Sequence, residues 1–396
     1  MSDLLKRNML LMRVSAILAI LGLVGVGWLS VVAWLTHEQD RACEKTNPMS
    51  AQDDPFARKL QRRLEDFSAS RNHIGLQASV IFPDGRIKSA VAGYASHEKK
   101  CSLTPGHHLY VGSITKMFTS AMVMQQVERG TLSLDDTLDR WMNLPNAQSV
   151  TIRMLLNHTS SIPDYAWEPW FIIRWFGLPK KEWRADDLIA VIRNQPSRFA
   201  PGARHEYSNS NYVLLGAILE RMTGKEYAAL LKEDVFDRLN LRESYFRNYP
   251  RDLAIANAYD ESLLRLGRQN LTGFRSSFET GAFSAGGILS TSPDVARFVL
   301  ALFSGKIVSE RTLAQMKMLV AAPDEDLRMQ TGYGLGIRNL SICGQNWIGH
   351  TGTIPGYSGI AVYNQETHHT IVILSNLSTI DQVLLVEEIL RIMTEE

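Results

Sequence analysis

Cysteine is scarce in this 396-residue chain: Cys43, Cys101 and Cys343 are its only thiols. Three are too few for a disulfide framework, and no two have the spacing of a metal site. An oxidising compartment permits one bridge and leaves one thiol over, with Cys101 and Cys343 a candidate pair and three free thiols the alternative. Charge of one sign is lacking too, since 42 lysines and arginines balance 41 aspartates and glutamates. No global field is present to draw in nucleic acid or an acidic polymer. The histidine pairs His107-His108 and His368-His369 are adjacent rather than spaced along a helix, so they read as exposed loop residues and not as metal ligands. No metal or cofactor is implied. The nucleophile elbow of α/β-hydrolases is absent as well, because "GYSGI" (Gly356–Ile360) fails at its last position. There are no internal repeats and no low-complexity segments.

Long apolar runs are rare, with one exception. Val14 to Leu35 carries no charge and at 1.5 Å per residue can cross a hydrocarbon core of roughly 30 Å. A cleaved signal peptide normally has a shorter apolar stretch, and Val31 and Ala33 form a weak cleavage site. Asp40 and Arg41 do not suit a lipoprotein junction at Cys43. The length therefore points to an uncut, single-pass signal anchor. Lys6, Arg7 and Arg13 precede it, which leaves residues 1–13 in the cytoplasm and everything after the span outside. Residues 36–55 are polar and breaker-rich, as a tether would be, and the folded body runs from 56 to 396.

Within that body, helical spacing through Leu60, Leu64 and Phe67 is followed by two strand-like runs joined at Pro83-Asp84-Gly85. Further strand-like runs, "TGYGLGIRNL", "QNWIGHTG" and "YSGIAVYNQETHHTIVILSN", precede a closing helix, "TIDQVLLVEEILRIM". Between about 113 and 304 the pattern is helical. The economical arrangement is α+β: an antiparallel sheet built from both ends of the chain (about 56–112 and 305–396), with a helical lobe inserted.

The helical pattern opens on "VGSITKMFTS" (Val111–Ser120). Ile114, Met117, Phe118, Ala121 and Met122 follow the helix period, so Lys116 shares a face with Ser113 one turn deeper. Burial there disfavours the ammonium form and readies the amine for proton transfer. The helix start offers unpaired N–H groups to a developing oxyanion. A capping serine with a snorkelling lysine would look the same, and Ser96 with Lys99 repeats the spacing inside the charged stretch "SHEKK". Two further motifs follow in order. In "HEYSNSNYVLLG", Tyr207 and Asn209 precede an amphipathic helix; Tyr207 could shuttle a proton if Lys116 lowered its pKa, and Asn209 could hold the lysine or a substrate amide. In "WIGHTGTIPGYSG", His350, Thr351 and Gly352 end a strand, where a glycine lets a substrate backbone come close.

Ser-x-x-Lys, Tyr-x-Asn and His-Thr-Gly in this order resemble the serine β-lactamase and penicillin-binding protein superfamily, in particular its class C β-lactamase and serine DD-peptidase branch. "TIRMLLNHTSSIPDY" and "SAGGILSTSPDVARF" resemble the same branch, and the similarity runs from about Leu64 to Met393. The resemblance implies a β-lactamase/transpeptidase-like fold with a five-stranded antiparallel sheet. It implies an acyl-enzyme on Ser113, with Lys116 and Tyr207 as a proton relay whose base is not assigned. It further implies an oxyanion held by the Ser113 and Thr353 N–H groups, and substrate oriented by His350 and Thr351. The expected substrate is a D-alanyl peptide, β-lactam or ester; a catalytically silent, membrane-tethered scaffold is the alternative of another class. The aromatic stretch "DYAWEPWFIIRWFGLPKKEW" (Asp164–Trp183) falls outside the resemblance. It could line a cleft, touch a bilayer or fill the helical lobe.

Overall fold

The computed structural model describes residues 34–37, 39–44, 54–262, 267–323, 327 and 329–394. Most of the expected membrane span, Val14 to Leu35, lies outside these residues, and among the described ones no helix is long and apolar enough to cross a membrane.

The body opens with helix α1 (Pro55–Ser70). The Asp54 carboxylate accepts the Ala57 N–H at 2.9 Å, and Pro55 fits the first turn because it has no N–H to lose. Hairpin β1 (Leu76–Ile81) and β2 (Ile87–Ala92) follows, and then the helical lobe. The helices that matter below are α2 (Thr115–Glu128), α3 (Pro169–Gly177), α4 (Ala185–Ile192), α5 (Asn209–Thr223), α6 (Arg275–Ala282) and α7 (Ser292–Phe303). The chain then returns to the sheet through β3 (Val320–Ala321), β4 (Gln330–Tyr333), β5 (Arg338–Ile342), β6 (Gln345–Ile354), β7 (Tyr357–Asn364) and β8 (Thr370–Ser375), closing on α8 (Gln382–Thr394).

The sheet is antiparallel and has eight strands in the order β2-β1-β8-β7-β6-β5-β4-β3. Five strands were expected. The difference lies in "TGYGLGIRNL", which bends at Gly334 and Gly336 to form two paired strands, β4 and β5, and so carries the hydrogen-bonded ladder past β6 to β3. Pairing of β1 with β8, Leu76 opposite Ser375, joins the two ends of the body.

Both faces of the sheet are covered, so its central strands read as continuous apolar runs. In β8 the residues alternate between two cores. Ile371 and Ile373 meet Leu60 and Leu64 of α1 and Val386 and Ile389 of α8. Val372 and Leu374 join the larger core that contains α2 and α7. Burying each of these leucines or isoleucines contributes about 1.5–3 kcal/mol. Helix α7, counted with the helical lobe by sequence, lies against the sheet, where Ser292 Oγ is 2.9 Å from Ser79 Oγ of β1.

The stretch read as a tether is stitched to the domain at residues 39–44. Cys43 pairs with Cys101, Cα to Cα 5.6 Å, which corrects the candidate bridge to Cys343. Cys343 is exposed in the turn between β5 and β6. The Ala42 carbonyl accepts from His107 Nε2 at 2.8 Å, and Arg275 Nη1 donates to the Gln39 carbonyl. His107 and His108 are consequently buried rather than exposed; His108 Nε2 lies 3.1 Å from Glu243 Oε2.

Candidate active site

The serine sits where the helical lobe meets the sheet edge. Ser113 occupies a single 3-10 turn, Gly112–Ile114, and α2 begins only at Thr115, two residues later than the helix pattern suggests. Gly112 has φ of +54°, a conformation other residues resist. A Cβ on Gly112 would stand 2.7 Å from Thr353 N, and one on Gly352 would stand 1.9 Å from the Val111 carbonyl oxygen. The two glycines thus let the serine turn and β6 touch backbone to backbone. Gly352 is required by the serine turn itself, whose Val111 carbonyl a side chain would strike.

Lys116 lies beneath Ser113, wholly out of solvent. Its Nζ is 2.9 Å from Ser113 Oγ, 2.7 Å from Asn209 Oδ1 and 2.8 Å from the Ala285 carbonyl oxygen. Burial holds its pKa well below the usual lysine range; the Asp164 carboxylate opposes this and the Arg338 charge adds to it. Asn209 Nδ2 donates to Asp164 Oδ2 at 2.8 Å, which turns Oδ1 towards the lysine. A neutral amine has two N–H groups and one lone pair. Asn209 Oδ1 and the Ala285 carbonyl can only accept, so they take both N–H groups and the lone pair is left facing the Ser113 hydroxyl.

Tyr207 differs from the expectation. Its ring centre is 4.9 Å from Lys116 Nζ and 5.0 Å from the Arg338 guanidinium carbon. Its buried hydroxyl has no hydrogen-bond partner among the described residues. Burial pushes its pKa up to about 12, against the pull of Arg338 and Ser113. Lys116 is not among the groups that lower the phenol's pKa.

His350 is fully buried and tied into a chain whose tautomers can be read from its donors. The Ser208 N–H donates to His158 Nδ1 at 3.1 Å, so the His158 proton is on Nε2, 3.2 Å from Tyr333 OH. Tyr333 then donates to His350 Nε2 at 2.9 Å, and the His350 proton points from Nδ1 to the Thr351 carbonyl. Burial lowers the pKa of both histidines well below the usual range. His350 thus buttresses the strand under the site, whereas Thr351 and Thr353 face the cavity.

That cavity, about 840 Å³, runs between sheet and helical lobe. Ser113, Asn209, Arg338, Thr351 and Thr353 form its reactive end; Trp167, Ile172, Trp175, Phe176, Leu271, Ile354, Ile380 and Val383 line the rest. The aromatic stretch divides its labour. Trp183 and Phe171 are core residues, Trp175 is held by a 2.8 Å bond from Nε1 to the Ser277 carbonyl, and Trp170 is 77% exposed. Sequence reasoning missed Asp164, His158, Tyr333 and Arg338. Only Arg338, a lone cation in the strand-like "GLGIRNL", carried a signal that could have been used.

Comparison with known proteins agrees with this geometry. The profile of the family described as Beta-lactamase matches residues 60–389. The chain belongs to the beta-lactamase family of serine hydrolases. It is 28% identical over 297 residues to "Penicillin-binding protein 4*" of Bacillus subtilis (strain 168), covering 72% of this chain and 64% of the relative, so it spans less than two thirds of that protein's length. Among solved structures, D-amino acid amidase from Ochrobactrum anthropi SV3 superposes with a TM-score of 0.77 at 25% identity, covering 86% of this chain and 99% of the amidase. The octameric penicillin-binding protein homologue from Pyrococcus abyssi gives 0.73 at 28% identity, covering 85% and 77%.

Proposed function

We propose that this beta-lactamase-family chain hydrolyses a peptide-like amide through an acyl-enzyme on Ser113. The observation that carries the reading is the Lys116 amine, desolvated and with both N–H groups taken, 2.9 Å from the serine oxygen. Lys116 Nζ takes the Ser113 proton as Oγ forms a bond to the carbonyl carbon, and the oxyanion is held by the Ser113 and Thr353 N–H groups. On collapse the C–N bond breaks. The leaving amine takes the Tyr207 proton, and the Lys116 ammonium restores it. Water then gives its proton to Lys116 and its oxygen to the acyl carbon; the C–Oγ bond breaks, the acid departs, and Ser113 Oγ takes back a proton from the Lys116 ammonium.

The apolar wall of Trp167, Trp175 and Phe176 favours an acyl group with a large apolar side chain. Similarity to an amidase solved with phenylalanine and its amide supports an amino-acid amide or short peptide over a bulky β-lactam or a simple ester. Incubation with a D-phenylalanine amide, a D-alanyl peptide, a β-lactam and a short-chain ester, followed by mass spectrometry of the intact chain, should give an acyl adduct on Ser113 with the amide turned over fastest. Ser113→Ala should abolish both adduct and turnover; undiminished turnover would falsify the assignment.

We place the catalytic domain outside the cytoplasm on a single-pass anchor. The Cys43–Cys101 bridge suits an oxidising compartment. Trp34, at the end of the apolar segment, is 55% exposed with Lys180 Nζ 4.1 Å from its ring centre, and Trp170 and Leu178 of the aromatic stretch are exposed too. Aromatic and cationic side chains together suit a membrane interface.

A further inference from the structure

The chemistry at Ser113 leaves without a role the buried carboxylate that reaches it through Asn209. Asp164 closes the stretch Ser160–Asp164 and is buried. One oxygen accepts the Ala166 N–H at 3.0 Å and so caps the turn Tyr165–Trp167. Asparagine or serine would cap that turn equally well without the cost of burying a charge. The second oxygen faces Asn209 Nδ2 at 2.8 Å, and Asn209 Oδ1 faces Lys116 at 2.7 Å.

We propose that Asp164 is a positioning residue for acylation: by accepting the Asn209 N–H it fixes which amide atom faces Lys116, and hence aims the lysine lone pair at Ser113. The proposal rests on the reading of Lys116 as the base. If the Asn209 amide flipped, its N–H groups would face the amine. The lone pair would then turn to Asn209, an amine N–H would point at Ser113, and the serine proton would have no acceptor. The carboxylate itself keeps its charge state throughout; the proton moves only from Ser113 Oγ to Lys116 Nζ.

Asp164 also acts through space. Its charge favours the ammonium form of Lys116, while Arg338 disfavours it. The other titratable groups around the pair, Tyr207, Tyr212, Tyr165, His158 and His350, are held neutral by burial. Burial raises the pKa of Asp164, and the Ala166 and Asn209 donors act against that rise.

The test uses the full chain and the rate at which a fluorophosphonate labels Ser113 across pH. Asp164→Asn removes the charge and leaves one acceptor oxygen for the two donors Ala166 N–H and Asn209 Nδ2, so the acid limb should move to lower pH with some loss of plateau. Asp164→Ala frees the amide, and the plateau should fall by about ten-fold or more. A pH midpoint unchanged in Asp164→Asn, or a plateau within about two-fold of wild type in Asp164→Ala, overturns the proposal. Normal labelling of a Lys116→Met chain would instead sink the underlying reading of the base. Should the Asp164 variants fail to fold, carbon-13 spectra of wild-type chain labelled at aspartate carboxyl carbons replace them. One carboxyl titrating above the ordinary aspartate range, and moving when Ser113 is acylated, is the expected result; no carboxyl responding to acylation refutes the coupling.

Discussion

Ser96 with Lys99 and Ser113 with Lys116 share the same spacing and nothing else. The first pair sits on a turn between two short strands, where the Lys99 N–H donates to Ser96 Oγ and the lysine side chain is 45% exposed, 2.9 Å from Asp40. The second lies at the mouth of α2, where the lysine is roofed by Asn209 and Ala285 and burial holds its pKa well below the usual range. A four-residue pattern therefore becomes chemistry only when tertiary packing removes water from the amine. At Lys99 water reaches the side chain, which is held in a half-exposed ion pair with Asp40.

The largest expected effect on this contrast comes from Lys116→Met, which keeps the buried volume and removes the base. Labelling of Ser113 should slow by on the order of 10³-fold, with a melting temperature at or above that of wild type; stopped-flow labelling and calorimetry measure the two. Labelling at the wild-type rate would erase the distinction between the pairs.

The next concerns the neutral histidines that buttress the site. Burial lowers the pKa of His158 well below the usual range, and the Arg338 charge adds to the effect. In the unfolded chain a histidine takes up a proton near pH 6.5, while in the folded chain His158 does so only far below, so the unfolded state binds more protons as pH falls. Stability should therefore fall below pH 6.5, by up to about 2 kcal/mol per histidine at pH 5. His158→Gln should flatten that fall in denaturant melts at pH 8, 6.5 and 5; an unaltered slope would mean that this ring is not the group responsible.

The smallest effect is that of Lys99→Met. Removing a half-exposed ion pair with Asp40 should cost about 1 kcal/mol or less and leave the labelling rate unchanged. A slower rate would show that the outer pair reaches the site.

Much of the fold was legible because its signals are local. The Pro83-Asp84-Gly85 hairpin and the apolar period of α1 need no distant partner to be read. The count of strands was not legible, since whether "TGYGLGIRNL" continues the ladder depends on β6 lying beside it. The site divides in the same way. Ser113, Lys116, Tyr207 and Asn209 stood out through spacing, but the purpose of Gly352 lay in the Val111 carbonyl 1.9 Å from its missing Cβ. Asp164 looked like any turn aspartate.

The sequence by itself determined which residues could do acyl-transfer chemistry, because residue type and helical spacing set which side chains can meet. Only the tertiary structure decided their protonation. Desolvation lowers the pKa of Lys116 and raises that of Tyr207, and only the assembled interior sets how strongly. The physical reason is that a pKa belongs to an environment assembled from segments as distant as Asp164, Ala285 and Arg338, and no local pattern records how much water those segments exclude when they meet.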